Sequence, residues 1–413
     1  MYPYRVPRAV PFWNGATDRA ILQSLARRSV VEGSSLGELR SLVIEMLEAE
    51  DAILSGSGSL ALELALRACG VRQGDEVIIP TFCCSAVVPP ILALGALPVL
   101  ADIGEELNLT IETVDGAITK KTRAVIVPHL FGNPADIHSI VDLARGKNIR
   151  VIDDAAQALG ATLDGRSAGS FGDAGIVSFG TEKICFGLGG GAVASNRQAL
   201  LGGAALNLSM AKQCRVLRRL VSTQLGWRWR CWTLPLQAML SKYKSAGPDE
   251  PPTPYTTEKM ANLQAAVALS LLQTLDANIA ARRARVSAYQ DLLGGEDRLE
   301  LIAHRPGSAC LTQVVRTSPR GRGRDLASTL IAALGKNGYE IQGSYVPIHL
   351  LDRFDRCVWD RLPNADRVWL DLVELPCDPG VSLEEVERIS TLVKKLARAD
   401  AAMRERISFD AHL

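Results

Sequence analysis

Ser178-Phe179-Gly180-Thr181-Glu182-Lys183, followed by Ile184-Cys185-Phe186-Gly187-Leu188-Gly189-Gly190-Gly191, is the stretch on which the reading of this chain turns. A lysine amine attacks a carbonyl only when neutral, so a catalytic lysine needs a site that desolvates it or holds it as an imine. Most lysines are simply solvated, and Lys183 stands out through its company. Upstream, Val151-Ile152-Asp153-Asp154-Ala155-Ala156-Gln157 is a short apolar run ending in two carboxylates, as expected where a buried parallel strand delivers side chains at its C-terminal end. Further upstream, Ser55-Gly56-Ser57-Gly58-Ser59 opens the periodic stretch Leu60 to Leu66, which reads as a helix N-terminus presenting backbone N–H groups to an anion. An amine, a buried carboxylate and an anion cradle therefore occur in one chain.

With 413 residues, the chain is expected to form two domains around a single cleft. A formal charge of +1 argues against a nucleic-acid binder with a basic surface. Nine cysteines, including the adjacent Cys83-Cys84, show neither CxxC metal pairs nor a regular framework, and read as reduced thiols. No histidine cluster suggests a metal. The N-terminal Met1-Tyr2-Pro3-Tyr4-Arg5-Val6-Pro7-Arg8 lacks the apolar core of a signal peptide, and no later segment sustains a membrane-spanning length, so a cytoplasmic location is expected.

Short apolar runs at Asp51–Leu54, Val77–Pro80, Leu97–Leu100, Ala124–Val127 and Arg150–Asp153 are spaced widely enough for crossover helices, which predicts a mostly parallel sheet. Pro251-Pro252-Thr253-Pro254 interrupts any helix, and the domain boundary is placed there. Residues 1–250 are then an α/β domain with an N-terminal arm and a basic, Trp-rich insertion near 205–250; residues 251–413 form a smaller α+β domain. Near the C-terminus, Ser382 with Glu384 and Glu385 reads as a capped, acidic helix start.

Together with Pro128-His129-Leu130-Phe131-Gly132-Asn133-Pro134-Ala135-Asp136, Leu263-Gln264-Ala265-Ala266, Tyr345-Val346-Pro347-Ile348-His349 and Leu375-Pro376-Cys377-Asp378-Pro379-Gly380, these motifs resemble, in order, the DegT/DnrJ/StrS aminotransferases. The resemblance runs from the serine-glycine turn to Gly380. It implies an aspartate-aminotransferase-like fold (fold type I), pyridoxal 5'-phosphate and a homodimer; family members mostly aminate nucleotide-linked keto sugars, some act on inososes, and glutamate is the implied donor. By the same resemblance, Lys183 holds the cofactor and moves the proton once displaced. Asp154 pairs with the pyridine nitrogen, Gln157 lies near the ring hydroxyl, and Ser57, Gly58 and Ser178 hold the phosphate. Adjacent residues at a strand end point to opposite faces, so one of Asp153 and Asp154 can meet the ring, and the resemblance selects Asp154.

The chain also departs from the family. Cys84 stands where relatives commonly carry an aromatic ring over the cofactor; its small polarizable thiol is expected to cover the ring instead, with Phe82 in the core. Ile184-Cys185 replaces a usual glutamate, Leu159 a histidine, and Thr257 and Lys259 an asparagine and an arginine. From Lys183 to Gly247 there is no Asp or Glu, and Trp227-Arg228-Trp229-Arg230-Cys231-Trp232 interleaves rings with guanidinium groups. That composition suits packing or a subunit interface, or contact with an anionic lipid surface or a bulky anionic substrate. His349 and Tyr345 sit in a loop near the expected substrate entrance, and His129 reads equally as structural or catalytic. The alternatives are a non-catalytic regulator or scaffold on the same fold, a dehydratase or lyase, and a desulfurase. Dehydratase relatives replace the lysine, a desulfurase needs a mobile catalytic cysteine, and a scaffold has no need of an amine opposite a buried carboxylate.

Overall fold

The computed structural model describes residues 5–196, 211–227, 255–317 and 324–410. Its larger sheet has seven strands: β1 (Asp51–Ser55), β2 (Glu76–Pro80), β3 (Leu97–Ala101), β4 (Thr122–Pro128), β5 (Arg150–Asp154), β8 (Ala174–Ser178) and β9 (Gly191–Ser195). The order is β1-β9-β8-β5-β4-β2-β3, and only β9 runs antiparallel to its neighbours. A small hairpin, β6 (Thr162–Leu163) with β7 (Arg166–Ser167), follows β5. The apolar runs become strands buried on both faces, as covered parallel sheets require: Val77, Ile78 and Ile79 are inaccessible, as are Val125 and Val127. Ser55, Pro80, Pro128, Asp154 and Ser178 consequently share one edge of the sheet, where ligands of open α/β sheets bind.

Helix α1 (Gly15–Ala26) starts at a capping box on Asn14, α2 (Ser35–Met46) leads into β1, and α3 (Gly58–Ala68) follows the serine-glycine turn. The crossovers contribute α4 (Val88–Ala93), α5 (Ile111–Ala117) and α6 (Ile137–Gly146). Beyond β9 come α7 (Ala211–Trp227), α8 (Asn262–Leu272) and α9 (Leu275–Leu293). The second sheet is antiparallel, β10 (Glu300–Leu301), β11 (Thr312–Arg316) and β12 (Leu372–Pro376), and is covered by α9, α10 (Arg324–Lys336) and α12 (Leu383–Asp410); the short α11 (Pro363–Val368) precedes β12. The α/β, fold type I architecture with a smaller α+β unit is thus present.

The distribution of residues between the two cores differs from the division at 250/251. Residues 251–254 lie outside the described residues. Met260, Leu263, Val267 and Leu271, expected with the C-terminal domain, pack with Leu39, Val43 and Phe179 on the large sheet. The change of core occurs inside α9, where Ile279 joins the large-sheet cluster and Val286, Tyr289 and Leu293 join the small one. Arg282, wholly buried on this helix, donates to Asn278 Oδ1, to the Leu311 carbonyl and, at 2.5 Å, to Asp378 Oδ1, tying the small unit to the helix. The N-terminal arm also differs. Val6 bridges Tyr339, and Val6 and Val10 join the small core, because the arm completes a backbone ladder with Gly338 and Glu340.

Candidate active site

At the end of β5 the two carboxylates separate as the pleat requires. Asp153 is inaccessible and engaged on both oxygens: Oδ1 lies 2.6 Å from His129 Nε2, and Oδ2 accepts the Gly169 and Phe171 N–H groups, each at 2.9 Å. His129 Nδ1 accepts the Ala135 N–H, so Nε2 carries the proton and donates it to Asp153. Between its two readings, His129 is thereby given a structural place. Asp154 turns the other way. Its Oδ1 accepts the Ala156 N–H at 2.9 Å; burial pushes its carboxyl above the usual range, opposed by that N–H and by the charge of Lys183.

The serine-glycine turn forms the second part. Ser57 caps α3, its hydroxyl accepting the Leu60 N–H at 3.2 Å and donating to the Thr256 carbonyl at 3.3 Å. A Cβ at Gly58 would stand 3.0 Å from Ser178 Oγ, so the missing side chain is what lets that hydroxyl approach the first turn of the helix. The hydroxyl of Ser178 and the positive end of α3 converge there, which fits a phosphate group.

Lys183 lies in the turn after β8, behind Glu182 with its left-handed φ of 67°. Gly189 and Gly190, with φ of 90° and 102°, reverse the chain into β9; that backbone conformation strains any residue with a Cβ, and the space is taken by the ends of Arg219 and Met260. Lys183 lines a cavity of about 250 Å³ together with Cys84, Phe131, Gln157, Tyr345, Arg8 and Glu374. Gln157 Oε1 accepts the Phe131 N–H at 3.1 Å and so fixes the backbone that carries that ring. Phe131 stacks on Tyr345 with centroids 5.8 Å apart, while Phe82 is fully buried in the core. Aromatic surface beside Cys84 therefore comes from Phe131 and Tyr345, two rings that no periodicity in the sequence assigns to the site.

The small unit supplies the facing wall. Along β12, Val373 and Leu375 enter its core, so Glu374 and Pro376 face the cavity. Burial pushes the Glu374 carboxyl up to about 7, opposed by Arg8, Gln342 and Ser344 and reinforced by Glu182. Arg8 reaches the cavity from the arm, its N–H bonded to Glu340 Oε2 at 3.0 Å and its guanidinium 3.4 Å from Glu182. Neither Arg8 nor Glu374 is signalled by sequence spacing, since both are placed by pairing between remote segments. His349 bonds Thr81 Oγ1 at 2.7 Å and Asp366 Oδ1 at 2.8 Å, fastening its loop to the end of β2.

The departures have local consequences. Leu159, Ile184 and Cys185 are core residues, while Thr257 and Lys259 are exposed on a segment that pairs with the serine-glycine turn through Gly56 N–H to the Glu258 carbonyl, 2.8 Å. In the basic stretch, α7 packs Val216 and Leu220 into the large core and pairs Arg215 with Glu258; Trp229 and Trp232 lie outside the described residues. Among the described residues no helix is long and apolar enough to cross a membrane.

Comparison with known proteins adds an independent line. A profile of the DegT/DnrJ/EryC1/StrS aminotransferase family matches residues 14–394. The chain is 29% identical over 371 residues to GDP-perosamine synthase of Vibrio cholerae, covering 88% of this chain and 90% of that protein. It is also 29% identical over 396 residues to dTDP-3-amino-3,4,6-trideoxy-alpha-D-glucose transaminase of Streptomyces venezuelae, covering 94% and 93%. Among solved structures, E. coli GDP-4-keto-6-deoxy-D-mannose-3-dehydratase with bound hydrated PLP superposes with a TM-score of 0.75 at 19% identity, covering 95% of this chain and all of that one, a likeness of fold.

Proposed function

Because this chain belongs to the DegT/DnrJ/EryC1/StrS aminotransferase family, a family of PLP-dependent transaminases, we propose that it transfers the amino group of glutamate to a nucleotide-linked keto sugar, acting as a cytoplasmic homodimer. The observation that carries this reading is the meeting, at one sheet edge, of Lys183, a buried Asp154 and the cradle of Ser57, Gly58 and Ser178. Names of the relatives, a GDP-linked and a dTDP-linked sugar enzyme, support the substrate class.

Pyridoxal 5'-phosphate, when bound, supplies an electron sink that stabilises negative charge at the carbon losing its proton. Lys183 Nζ would hold the cofactor through its carbonyl carbon, and its freed amine would move the proton at the donor's Cα. Asp154, whose burial makes its charge costly, would pair with a protonated ring nitrogen. Ser178 and the first turn of α3 would hold the phosphate, and Gln157 fixes the backbone that carries the adjacent Phe131 ring.

The test is spectroscopic. Protein reconstituted with the cofactor is expected to show a visible band that depends on Lys183, to lose it on addition of glutamate, and to regain it when a GDP- or dTDP-linked 4-keto-6-deoxyhexose is aminated, as mass spectrometry would detect. No change with glutamate removes the donor; change with glutamate but no amination of any nucleotide-linked ketose removes the sugar. Sedimentation checks the dimer. A membrane or anionic-lipid contact through 205–250 is a separate proposal, resting on composition; co-sedimentation with anionic liposomes, absent in the wild type, ends it.

A further inference from the structure

Glu374 is a charged residue on the cleft face of a strand, in a position that the chemistry of Lys183 and Asp154 does not use. Its backbone is fixed, with N–H to the Gln342 carbonyl at 3.1 Å and register opposite Val314. Its Oε2 has only a long contact, 3.4 Å, from Gln342 Nε2, and its Oε1 is buried without a hydrogen-bond partner. Ser344 Oγ stands close enough to hold the carboxyl down a little, but makes no hydrogen bond of ordinary geometry. A buried acceptor left this way is costly, and each such atom in a native structure calls for a reason, a missing partner among them.

The groups facing Glu374 across the cavity are Arg8, Glu182, Lys183, Glu340, Tyr345 and Asp378. Arg8 engages one oxygen each of Glu340 and Glu182, and Asp378 is engaged by Arg282; of these carboxylates Glu374 is the one with a buried oxygen that has no partner. An open acceptor of this kind favours a ligand that brings neutral hydrogen-bond donors to it. We propose that Glu374, seconded by Gln342, is the specificity-determining residue for the acceptor, with Oε1 accepting a hydrogen bond from a ring hydroxyl of the keto sugar. This inference rests on the proposed sugar amination and assigns to the small unit the task of reading the acceptor. The upward displacement of its carboxyl is in keeping with an acceptor that awaits a donor.

Glu374→Ala and the isosteric Glu374→Gln separate the roles when the two half-reactions are measured apart on cofactor-loaded protein. The donor half uses glutamate; the acceptor half uses a panel of GDP- and dTDP-linked 4-keto-6-deoxyhexoses and their ring-deoxy analogues. With the best wild-type acceptor, Glu374→Ala is expected to lower kcat/KM roughly 10- to 100-fold, the loss of one hydrogen bond to a charged group, while glutamate turnover changes less than about 3-fold. Glu374→Gln, which keeps an acceptor oxygen, falls between. One deoxy analogue should lose a similar factor with the wild type and none with Glu374→Ala. Equal loss in both half-reactions, or no loss in the acceptor half, overturns the proposal while the sugar reading stands. A wild type that reacts with glutamate but aminates no panel member overturns both.

Discussion

On the large-sheet side of the cleft, Asp153 and His129 have their polar side-chain atoms engaged within the protein and Gln157 Oε1 is bonded to a loop amide, whereas on the small-unit side Glu374 Oε1 and Ser344 Oγ are buried and unmet. A wall whose polar atoms are satisfied holds its geometry with or without ligand, as chemistry on a fixed ring demands. A wall with open atoms gains hydrogen bonds only when something enters. On the proposed reading, cofactor placement falls to the strand ends of the sheet and recognition to β12 and the arm.

Lys183→Ala would break the comparison most severely: loss of the visible cofactor band and a fall in activity on the order of 10³-fold or more, measured with glutamate as donor. Next, Asp154→Asn should slow the donor half-reaction roughly 10²- to 10³-fold with stability little changed, because it removes a preorganised charge at the ring. Its neighbour should behave oppositely. An amide at Asp153→Asn confronts the His129 N–H, which cannot change tautomer while Nδ1 accepts from Ala135, so a loss of about 2–4 kcal/mol in urea denaturation is expected.

A smaller effect should follow Gly58→Ala, whose Cβ would crowd Ser178 Oγ at 3.0 Å; cofactor titration is expected to show affinity weakened roughly 10-fold. The mildest is thermal. Burial raises Glu374 from 4.5 to about 7, so the folded state holds this proton more tightly than the unfolded chain, and ionising it lowers stability progressively as pH climbs through that window. Glu374→Gln removes this penalty. Its Tm gain over the wild type should be least near pH 4.5 and should level off above pH 7, within an upper bound of about 3 kcal/mol; a gain independent of pH would mean that the carboxylate is not buried in its charged form.

Five strands of the large sheet, β1 to β5, were legible as short, mostly apolar runs bounded by turn residues, and the start of α3 because serine and glycine precede a periodic helix; β8 and β9, short and rich in alanine and glycine, were not. Lys183 and the choice of Asp154 over Asp153 were read from motif resemblance together with the pleat. Tyr345 was read near the substrate entrance, but its stacking on Phe131 and the places of Arg8 and Glu374 were not legible, since what sets them is long-range: the arm pairs with residues 338–340, and the Glu374 N–H with the Gln342 carbonyl. The change of core falls elsewhere than the proline-rich segment for a related reason. Proline-rich segments mark chain breaks, while core membership is decided by which face of α8 and α9 finds a partner.

The most direct test of this division of labour is the rate at which glutamate discharges the visible band in three cofactor-loaded proteins side by side: wild type, Asp154→Asn and Glu374→Ala. The account predicts that Glu374→Ala keeps pace with the wild type within about 3-fold while Asp154→Asn lags by roughly 10² or more. An Asp154→Asn protein as fast as the wild type, or a Glu374→Ala protein as slow as Asp154→Asn, would contradict it.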